Sequence, residues 1–200
     1  FNFYYKKTLM RIDKYQKKHQ IKDQSTNING VKVPPVEKML SIVDWDYIST
    51  GIPSNFHGDL QFDNILLKEN SDFLILDWRQ DFSGLIDYGD RYFDLAKLNG
   101  GMKVSYKLIK QNKFAFHKDS KGSIIISHDI PPELKRARKI FKKYLSNKNL
   151  DVIKVSILTG LVYLNMSPMH HEPFDHFIYN YGRLTLYKAL LRGGTIGVVD

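Results

Sequence analysis

The sequence contains no cysteine, which excludes disulfides and thiolate metal sites and is typical of a reducing compartment. No run reaches the roughly 18 consecutive apolar residues of a membrane-spanning helix. The opening FNFYYKK carries charge too early for a secretory signal. We therefore expect a cytoplasmic chain without a membrane span. Because the chain lacks an initiator Met and opens inside what reads as a helix, we also expect that Phe1 is not the biological start.

Apolar residues make up 42% and aromatic residues 13% of the 200 residues, which is enough for one domain with a real core. The formal net charge of +9 suits either a nucleic-acid partner or phosphorylated ligands. The densest basic segment, residues 135–148, has helical amphipathic spacing and lacks interleaved exposed aromatics for base stacking. We interpret it as a solvated helix face and expect no nucleic-acid partner.

Periodicity and turn residues predict an α+β fold, a mainly helical body that carries small antiparallel β-hairpins. The runs NILLK and FLILDW, joined by ENSD, form one predicted hairpin, and KFAFHKDSKGSIIIS forms another. The segment DQSTNINGVKVPP is predicted to be a loop because of its Asn, Gly, Ser and Pro content. Helices are expected over residues 3–19, 35–43, 92–98, 104–110, 132–146, 151–164 and 174–191.

The most informative segment is FHGDLQFDNILL, followed by FLILDW. Phosphoryl transfer needs a carboxylate that accepts the proton of the attacking hydroxyl, and oxygen ligands that hold Mg²⁺ on the nucleotide. Asp59 follows Gly58 in an expected tight turn and suits the first role. Asn64 enters the hairpin and Asp77 leaves it, so both are expected at one end of the ribbon as Mg²⁺ ligands. For Asp59 taken alone, an ordinary turn or cap residue is the alternative.

The same segment resembles the catalytic loop of protein kinases, in which an Asp is followed by an Asn five residues later and a metal-binding Asp eighteen residues later. Here Asn64 lies five and Asp77 eighteen residues after Asp59. The motif HGDLQFDNILL, with ILDW in place of Asp-Phe-Gly and DRYFDLAKL downstream, is similar to the sequences of the aminoglycoside phosphotransferase and choline kinase family. The resemblance covers the chain from its first residue to about Leu191.

This resemblance implies a reaction and the residues that perform it. The γ-phosphoryl group of ATP or GTP would pass, with Mg²⁺, to a hydroxyl of a sugar, an amino alcohol or an aminoglycoside-like molecule. Asp59 would be the base, and Asn64 and Asp77 would bind the metal and nucleotide. His57 would be a structural member of the catalytic loop rather than a proton carrier. Asp94 would brace the loop, with an N-cap of the helix DLAKL as its alternative role.

Two parts of the kinase-like fold that clamp nucleotide phosphates are not found in the sequence: a Gly-rich hairpin and a strand lysine paired with a helical glutamate. We therefore interpret residues 1–200 as a single C-terminal catalytic lobe without its N-terminal nucleotide-clamping lobe, poorly active or inactive alone. The main alternative is a non-catalytic kinase-like binding module. A basic nucleic-acid-binding domain and a metallohydrolase built on His57, Asp59 and Asp77 are further alternatives.

Acceptors in the resembled family bind against C-terminal helices, facing the catalytic Asp, and two segments near the motif are candidates for that pocket. Arg79 stands where relatives commonly carry an acidic residue. It indicates an anionic acceptor, such as a sugar phosphate or acid, unless it is an exposed or salt-bridged arginine. Tyr88, with the neighbouring Asp90 and Arg91, is the second candidate, and solvated loop charges are the alternative there.

The segment NMSPMHHEPFDHF is the third candidate for the acceptor pocket. Its His171, Glu172 and Asp175 lie close together in sequence, with Pro173 interrupting any helix through them. A substrate pocket, a metal site and local capping with packing all remain open for this cluster. The segment resembles sequences in phosphotransferase-like proteins that are encoded with bacterial surface-polysaccharide enzymes. This resemblance indicates a sugar or sugar-linked acceptor.

Overall fold

A computed structural model describes residues 2–194 and shows an α+β fold in which helices dominate. Within those residues the helices are α1 Lys7–His19, α2 Val36–Ser41, α3 Trp45–Ser49, α4 Arg91–Gly101, α5 Tyr106–Lys110, α6 Pro132–Asn147, α7 Val152–Met166 and α8 Phe174–Arg192. The strands are β1 Thr26–Ile28, β2 Val31–Val33, β3 Pro53–Ser54, β4 Ile65–Leu67, β5 Phe73–Ile75, β6 Gly89–Asp90, β7 Phe114–Lys118 and β8 Ile124–His128. A π-helical turn, Asn2–Lys6, precedes α1, and 3₁₀ turns cover Phe62–Asn64 and Ser167–Met169.

Helices α7 and α8 form the centre of the core because their sequences are apolar around most of their circumference. Leu164 of α7 and Phe177 of α8 are fully buried, and α4 also packs on α7. There the Tyr163 hydroxyl donates to the Gly100 carbonyl at 2.9 Å. This packing fixes α4, which carries residues of the candidate site.

The two central helices approach closely at Gly160, where an added Cβ would lie 2.8 Å from the Leu186 backbone nitrogen. We expect Gly160→Ala to lower the free energy of unfolding by about 1–3 kcal/mol, since backbone must move to admit the methyl group. Gly101→Ala in α4 is the matched control, because its Cβ would make ordinary van der Waals contacts, with Phe62 Cδ2 at 3.7 Å and Gln61 Cβ at 3.9 Å. Urea denaturation should leave this control unchanged or slightly stabilised. Equal midpoints for the two variants would contradict the close approach.

One helical segment of residues 2–194, Val152–Met169, is long and apolar enough to cross a membrane by length and composition. Of this segment, 67% is buried inside the protein. A core helix passes the same test, so the segment is weak evidence for a membrane span.

The strands form three small sheets. The four-stranded sheet has the order β2-β1-β8-β7, and the two others are the pairs β3–β6 and β4–β5. The predicted β4–β5 and β7–β8 hairpins are confirmed, and all pairings are antiparallel except β1–β8, which pair in parallel at Ile28 and Ile124.

The predicted loop DQSTNINGVKVPP is wrong in its centre, which forms the β1–β2 hairpin. Asn29 and Gly30 make its two-residue turn, with φ of +49° and +79°. Asn-Gly is a strong hairpin signal because both residues tolerate positive φ. The composition of the segment concealed that signal.

The predicted helices are confirmed, with differences at their ends. The short helix α3, which begins after the N-cap Asp44, was not predicted. The apolar face predicted for α6 is only partly buried: Phe141 and Leu145 are in the core, whereas Ile140 is 71% and Tyr144 44% exposed. The basic face of this helix is solvated, as predicted.

Candidate active site

Asp94 of α4 anchors the backbone of the loop that carries Asp59. The two Asp94 carboxylate oxygens accept the backbone N–H groups of His57 and Gly58, each at 2.8 Å. Burial raises the pKa of Asp94, although these two donors act in the opposite direction. Helix α4 takes Asp90 as its N-cap, since this side chain accepts a first-turn N–H at 2.9 Å. The expectation that Asp94 braces the loop is therefore confirmed, and the N-cap alternative is wrong.

Gly58 makes the sharp turn before Asp59 possible. Its φ of +81° lies in the left-handed region, which disfavours residues with a Cβ. An added Cβ would also lie 2.5 Å from Arg79 Cδ and 2.6 Å from Phe56 Cζ. The Arg79 side chain therefore packs directly against the turn, beside Asp59.

His57 is buried and holds the loop against the end of β5. Its Nε2 donates to the Leu76 carbonyl at 2.6 Å, and its Nδ1 accepts from the Asp59 N–H at 3.1 Å. These partners assign the neutral tautomer with its proton on Nε2. Because backbone groups occupy both ring nitrogens, the geometry gives His57 a structural role.

The β4–β5 hairpin brings Asn64 and Asp77 to the same end of the ribbon. The Leu76 N–H donates to the Asn64 carbonyl at 2.9 Å, and Asp77 follows with a φ of +56°. The Asn64 amide nitrogen donates to the Asp59 carbonyl at 2.9 Å, so its Oδ1 is the atom left for a ligand. Asn64 is buried and Asp77 is exposed. An amide oxygen and a carboxylate form an oxygen-only donor set that fits Mg²⁺, which keeps positions for phosphate and water.

Asp59 forms an ion pair with Lys97 of α4, whose Nζ lies 2.5 Å from Asp59 Oδ1. The Gln61 amide nitrogen donates to Asp59 Oδ2 at 3.3 Å. Sequence reasoning did not identify Lys97 as a site residue. A signal was present, because Lys97 follows Asp94 by three residues and therefore shares its face of α4.

Asp59 borders a cavity of about 330 Å³ formed by α1, α4, α7 and the site loop. Cations dominate its charged residues, with Asp59 as the carboxylate among them. Helix α7 supplies an apolar wall on the side of the core. The charged side chains that line this cavity are Lys7, Arg11, Asp59, Arg79 and Lys97.

Of the residues predicted for the acceptor pocket, Arg79 lines this cavity and the others do not. Tyr88 borders a separate depression of about 190 Å³. His171 and Glu172 are exposed ahead of α8, and Asp175 is fully buried in its first turn. Their predicted placement beside Asp59 is corrected accordingly, and His170 is the residue of that segment that lines the cavity.

Asp175 instead belongs to a polar network that ties α1 to α8. It accepts from Lys18 at 2.6 Å and pairs with His19 at 2.8 Å, while the Tyr15 hydroxyl lies 2.7 Å from His176 Nδ1. Burial opposes ionisation of Asp175, but the Lys18 and His19 hydrogen bonds lower its pKa. The donor atoms of His19, Asp175 and His176 lie within 4.8 Å of one another. Because Lys18 and His19 already bind Asp175, and Tyr15 binds His176, the geometry favours packing over a metal site.

No family model matches this chain, and neither a curated protein nor a solved structure matches it. The resemblance to the aminoglycoside phosphotransferase and choline kinase family therefore rests on the motif residues. Three features bear on their chemistry: the braced loop of Asp59, the directed amide of Asn64 and the exposed carboxylate of Asp77.

Proposed function

We propose that this chain is the C-terminal catalytic lobe of a kinase-like small-molecule phosphotransferase. It transfers the γ-phosphoryl group of ATP or GTP to a hydroxyl of a small acceptor in the cytoplasm. The observation that carries the proposal is the junction of the site loop with the hairpin. There Asn64 binds the backbone of Asp59, and Asp77 lies at the end of the same ribbon.

Asp59 has the surroundings that a proton-accepting group needs. Its carboxylate borders the cavity, while its backbone is fixed through Asp94, Asn64 and the ring of His57. The ammonium group of Lys97 balances its charge and orients Oδ1. A fixed carboxylate beside the attacking hydroxyl supports transfer mainly by positioning and electrostatics, as expected for phosphoryl groups.

Asn64 and Asp77 are the residues that would hold Mg²⁺, and with it the nucleotide phosphates. When bound, the ion neutralises negative charge on the phosphates during transfer. The hydrogen bond from the Asn64 amide nitrogen keeps its oxygen facing away from the loop backbone. Asp77 is exposed and so remains accessible to a hydrated ion.

Nucleotide titration of the full-length protein tests this function. We expect Mg²⁺ to tighten ATP binding about tenfold or more, equivalent to about 1.4 kcal/mol, and ATP to be consumed when an acceptor is present. In Asp77→Ala the increase in ATP affinity caused by Mg²⁺ should disappear, since a carboxylate ligand of the ion is lost. The control Glu69→Ala removes an exposed carboxylate from the β4–β5 turn and should keep the full gain.

Calorimetry with ATP in Mg²⁺ or in EDTA gives the two affinities, and ADP release gives turnover. Equal affinities in Mg²⁺ and EDTA would contradict the metal role of Asn64 and Asp77. Mg²⁺-dependent binding with no turnover for any acceptor would favour the non-catalytic binding module.

A further inference from the structure

Four cationic side chains line the cavity beside Asp59, and the carboxylate of Asp59 cannot balance their charge. Of the cations that line the cavity, Lys97 is the one that forms an ion pair within residues 2–194, and its partner is Asp59. Lys7, Arg11 and Arg79 line the same cavity and have no carboxylate partner within the described part of the chain. Asp59 also attracts Lys7, but this one carboxylate, already paired with Lys97, cannot balance four cations in a partly buried space, so the cavity is set up for an anion.

Lys7 and Arg11 lie one turn apart on the same face of α1. Lys7 is mostly buried, and burial together with the nearby cations, Arg79 foremost, lowers its pKa to about 8. An anion beside Lys7 would offset both effects, because its attraction favours the charged form of the lysine. Arg11 is also incompletely satisfied: its Nη1 meets the weak acceptor Met169 Sδ, and its buried Nε has no hydrogen-bond partner among residues 2–194.

The remaining walls suit a small polyhydroxylated skeleton. Asn165 of α7 has a buried Oδ1 that no group in the described part of the chain hydrogen-bonds, while its nitrogen donates to Thr8 Oγ1 at 3.0 Å. That free oxygen can accept a hydroxyl of a ligand. The volume of about 330 Å³ is at the lower end of the range for ligand pockets, which suits one monomer-sized molecule. Leu158, Leu161, Val162 and Met166 supply the apolar wall.

We propose that the acceptor is an anionic polyol of monosaccharide size, a sugar acid or sugar phosphate, with its reacting hydroxyl at Asp59 and its anionic group between Lys7 and Arg11. This inference rests on the proposed phosphotransferase function. In the transfer step the hydroxyl proton passes to the Asp59 carboxylate as the acceptor oxygen bonds to the γ-phosphorus of ATP. The bond from that phosphorus to its bridging oxygen breaks, and ADP leaves with the electron pair.

The positions of the four cations separate two sources of negative charge. Arg79 and Lys97 lie at the Asp59 end, since Arg79 packs on Gly58 and Lys97 binds Asp59. Arg11 reaches Met169, which follows α7 in the chain. Lys7 lies between these two ends, since Arg79 and Arg11 are the cations that lower its pKa most. The nucleotide phosphates belong beside Asp77, so the anion between Lys7 and Arg11 is assigned to the acceptor.

Steady-state kinetics of the full-length protein with glucose, glucuronate and glucose 6-phosphate tests this assignment. We expect an anionic sugar to have a KM about 10- to 100-fold lower than glucose, as for one or two charge-assisted hydrogen bonds. Arg11→Gln should raise that KM by a similar factor and leave the KM for ATP unchanged. Lys14→Gln is the matched control, since Lys14 is exposed on α1 outside the cavity and loses the same charge.

A second measurement separates this inference from the proposed function. Inorganic phosphate and glucuronate are titrated without nucleotide, and binding is followed by calorimetry and thermal unfolding. We expect the anions to raise the Tm of the wild-type protein and of Lys14→Gln, but not of Arg11→Gln. Lys7→Met should unfold about 2–4 °C higher than wild type without ligand, because a repelled cation is removed.

The wild-type protein could bind anions, lose that binding in Arg11→Gln, and yet never consume ATP. That result would support the anion site and contradict the proposed phosphotransferase function. Equal use of glucose and its anionic derivatives, with no effect of Arg11→Gln, would overturn the inference and leave the phosphotransferase standing. A raised KM for ATP rather than for the acceptor in Arg11→Gln would assign the charge to the nucleotide and also overturn it.

Discussion

Replacing Asp59 with Asn in the full-length protein is expected to lower kcat by about 10²- to 10⁴-fold, the usual contribution of a general base. The amide has nearly the same shape but cannot accept the hydroxyl proton. The backbone anchors of the loop do not involve the Asp59 carboxylate: the Asp94 contacts and the Asn64 bond go to main-chain groups. The loop should therefore keep its conformation, and the KM for ATP should change little.

Asp63→Asn is the control for this variant, because Asp63 is an exposed carboxylate four residues further along the same segment. Its kcat should equal that of the wild type. Loss of the Lys97 ion pair in Asp59→Asn should cost about 1 kcal/mol of stability at most, given that the pair is partly exposed. Wild-type kcat in Asp59→Asn, with normal unfolding, would remove Asp59 from the catalytic role.

Sequence reasoning succeeded where the determining interactions are local. The β4–β5 hairpin follows from two apolar runs and a polar turn, and its geometry places Asp77 near Asn64. The turn at Gly58 was likewise predicted from composition and is confirmed by its positive φ. Because Asn64 and Asp77 stand at the two ends of one hairpin, a local pattern was enough to place them together.

The parts that escaped sequence reasoning depend on contacts between distant segments. The β1–β2 hairpin joins β8 partly through the side chain of Asn29, which exchanges two hydrogen bonds of 2.8 Å with the backbone of Ile126. No local pattern identifies that partner, which lies 97 residues away.

The cationic cavity shows the same limit at the candidate site. Lys7, Arg11 and Lys97 meet only because α1 and α4 both pack on α7. In sequence they are ordinary helix lysines and arginines, whose usual place is the solvent. The error for Asp175 has a related cause: the first turn of α8 directs this side chain into α1, where Lys18 and His19 receive it.

Removing the brace of the site loop is expected to cost both stability and activity. In Asp94→Ala the N–H groups of His57 and Gly58 lose their acceptors in a buried position, which should lower the free energy of unfolding by roughly 2–4 kcal/mol. Asp94→Asn keeps one acceptor oxygen but turns an amide N–H₂ toward the other donor. Its loss should be smaller, roughly 1–2 kcal/mol, partly because the neutral amide avoids the cost of burying a charge. Burial raises the pKa of Asp94 above its value in the unfolded chain, so ionising this carboxyl as the pH rises lowers the stability of the fold.

Hydrogen exchange of the two backbone amides separates this account from a general loss of packing. Both His57 and Gly58 should lose protection in Asp94→Ala, and one of them in Asp94→Asn, while amides in the centre of α7 keep theirs relative to the global stability. Asp87→Asn, an exposed carboxylate ahead of α4, should leave both amides protected. If kcat fell in proportion to the protection of these two amides, the lower kcat would result from a loss of the backbone contacts that position Asp59. A loop that stayed protected in Asp94→Ala would show that His57 and its bond to Leu76 hold the turn without the brace.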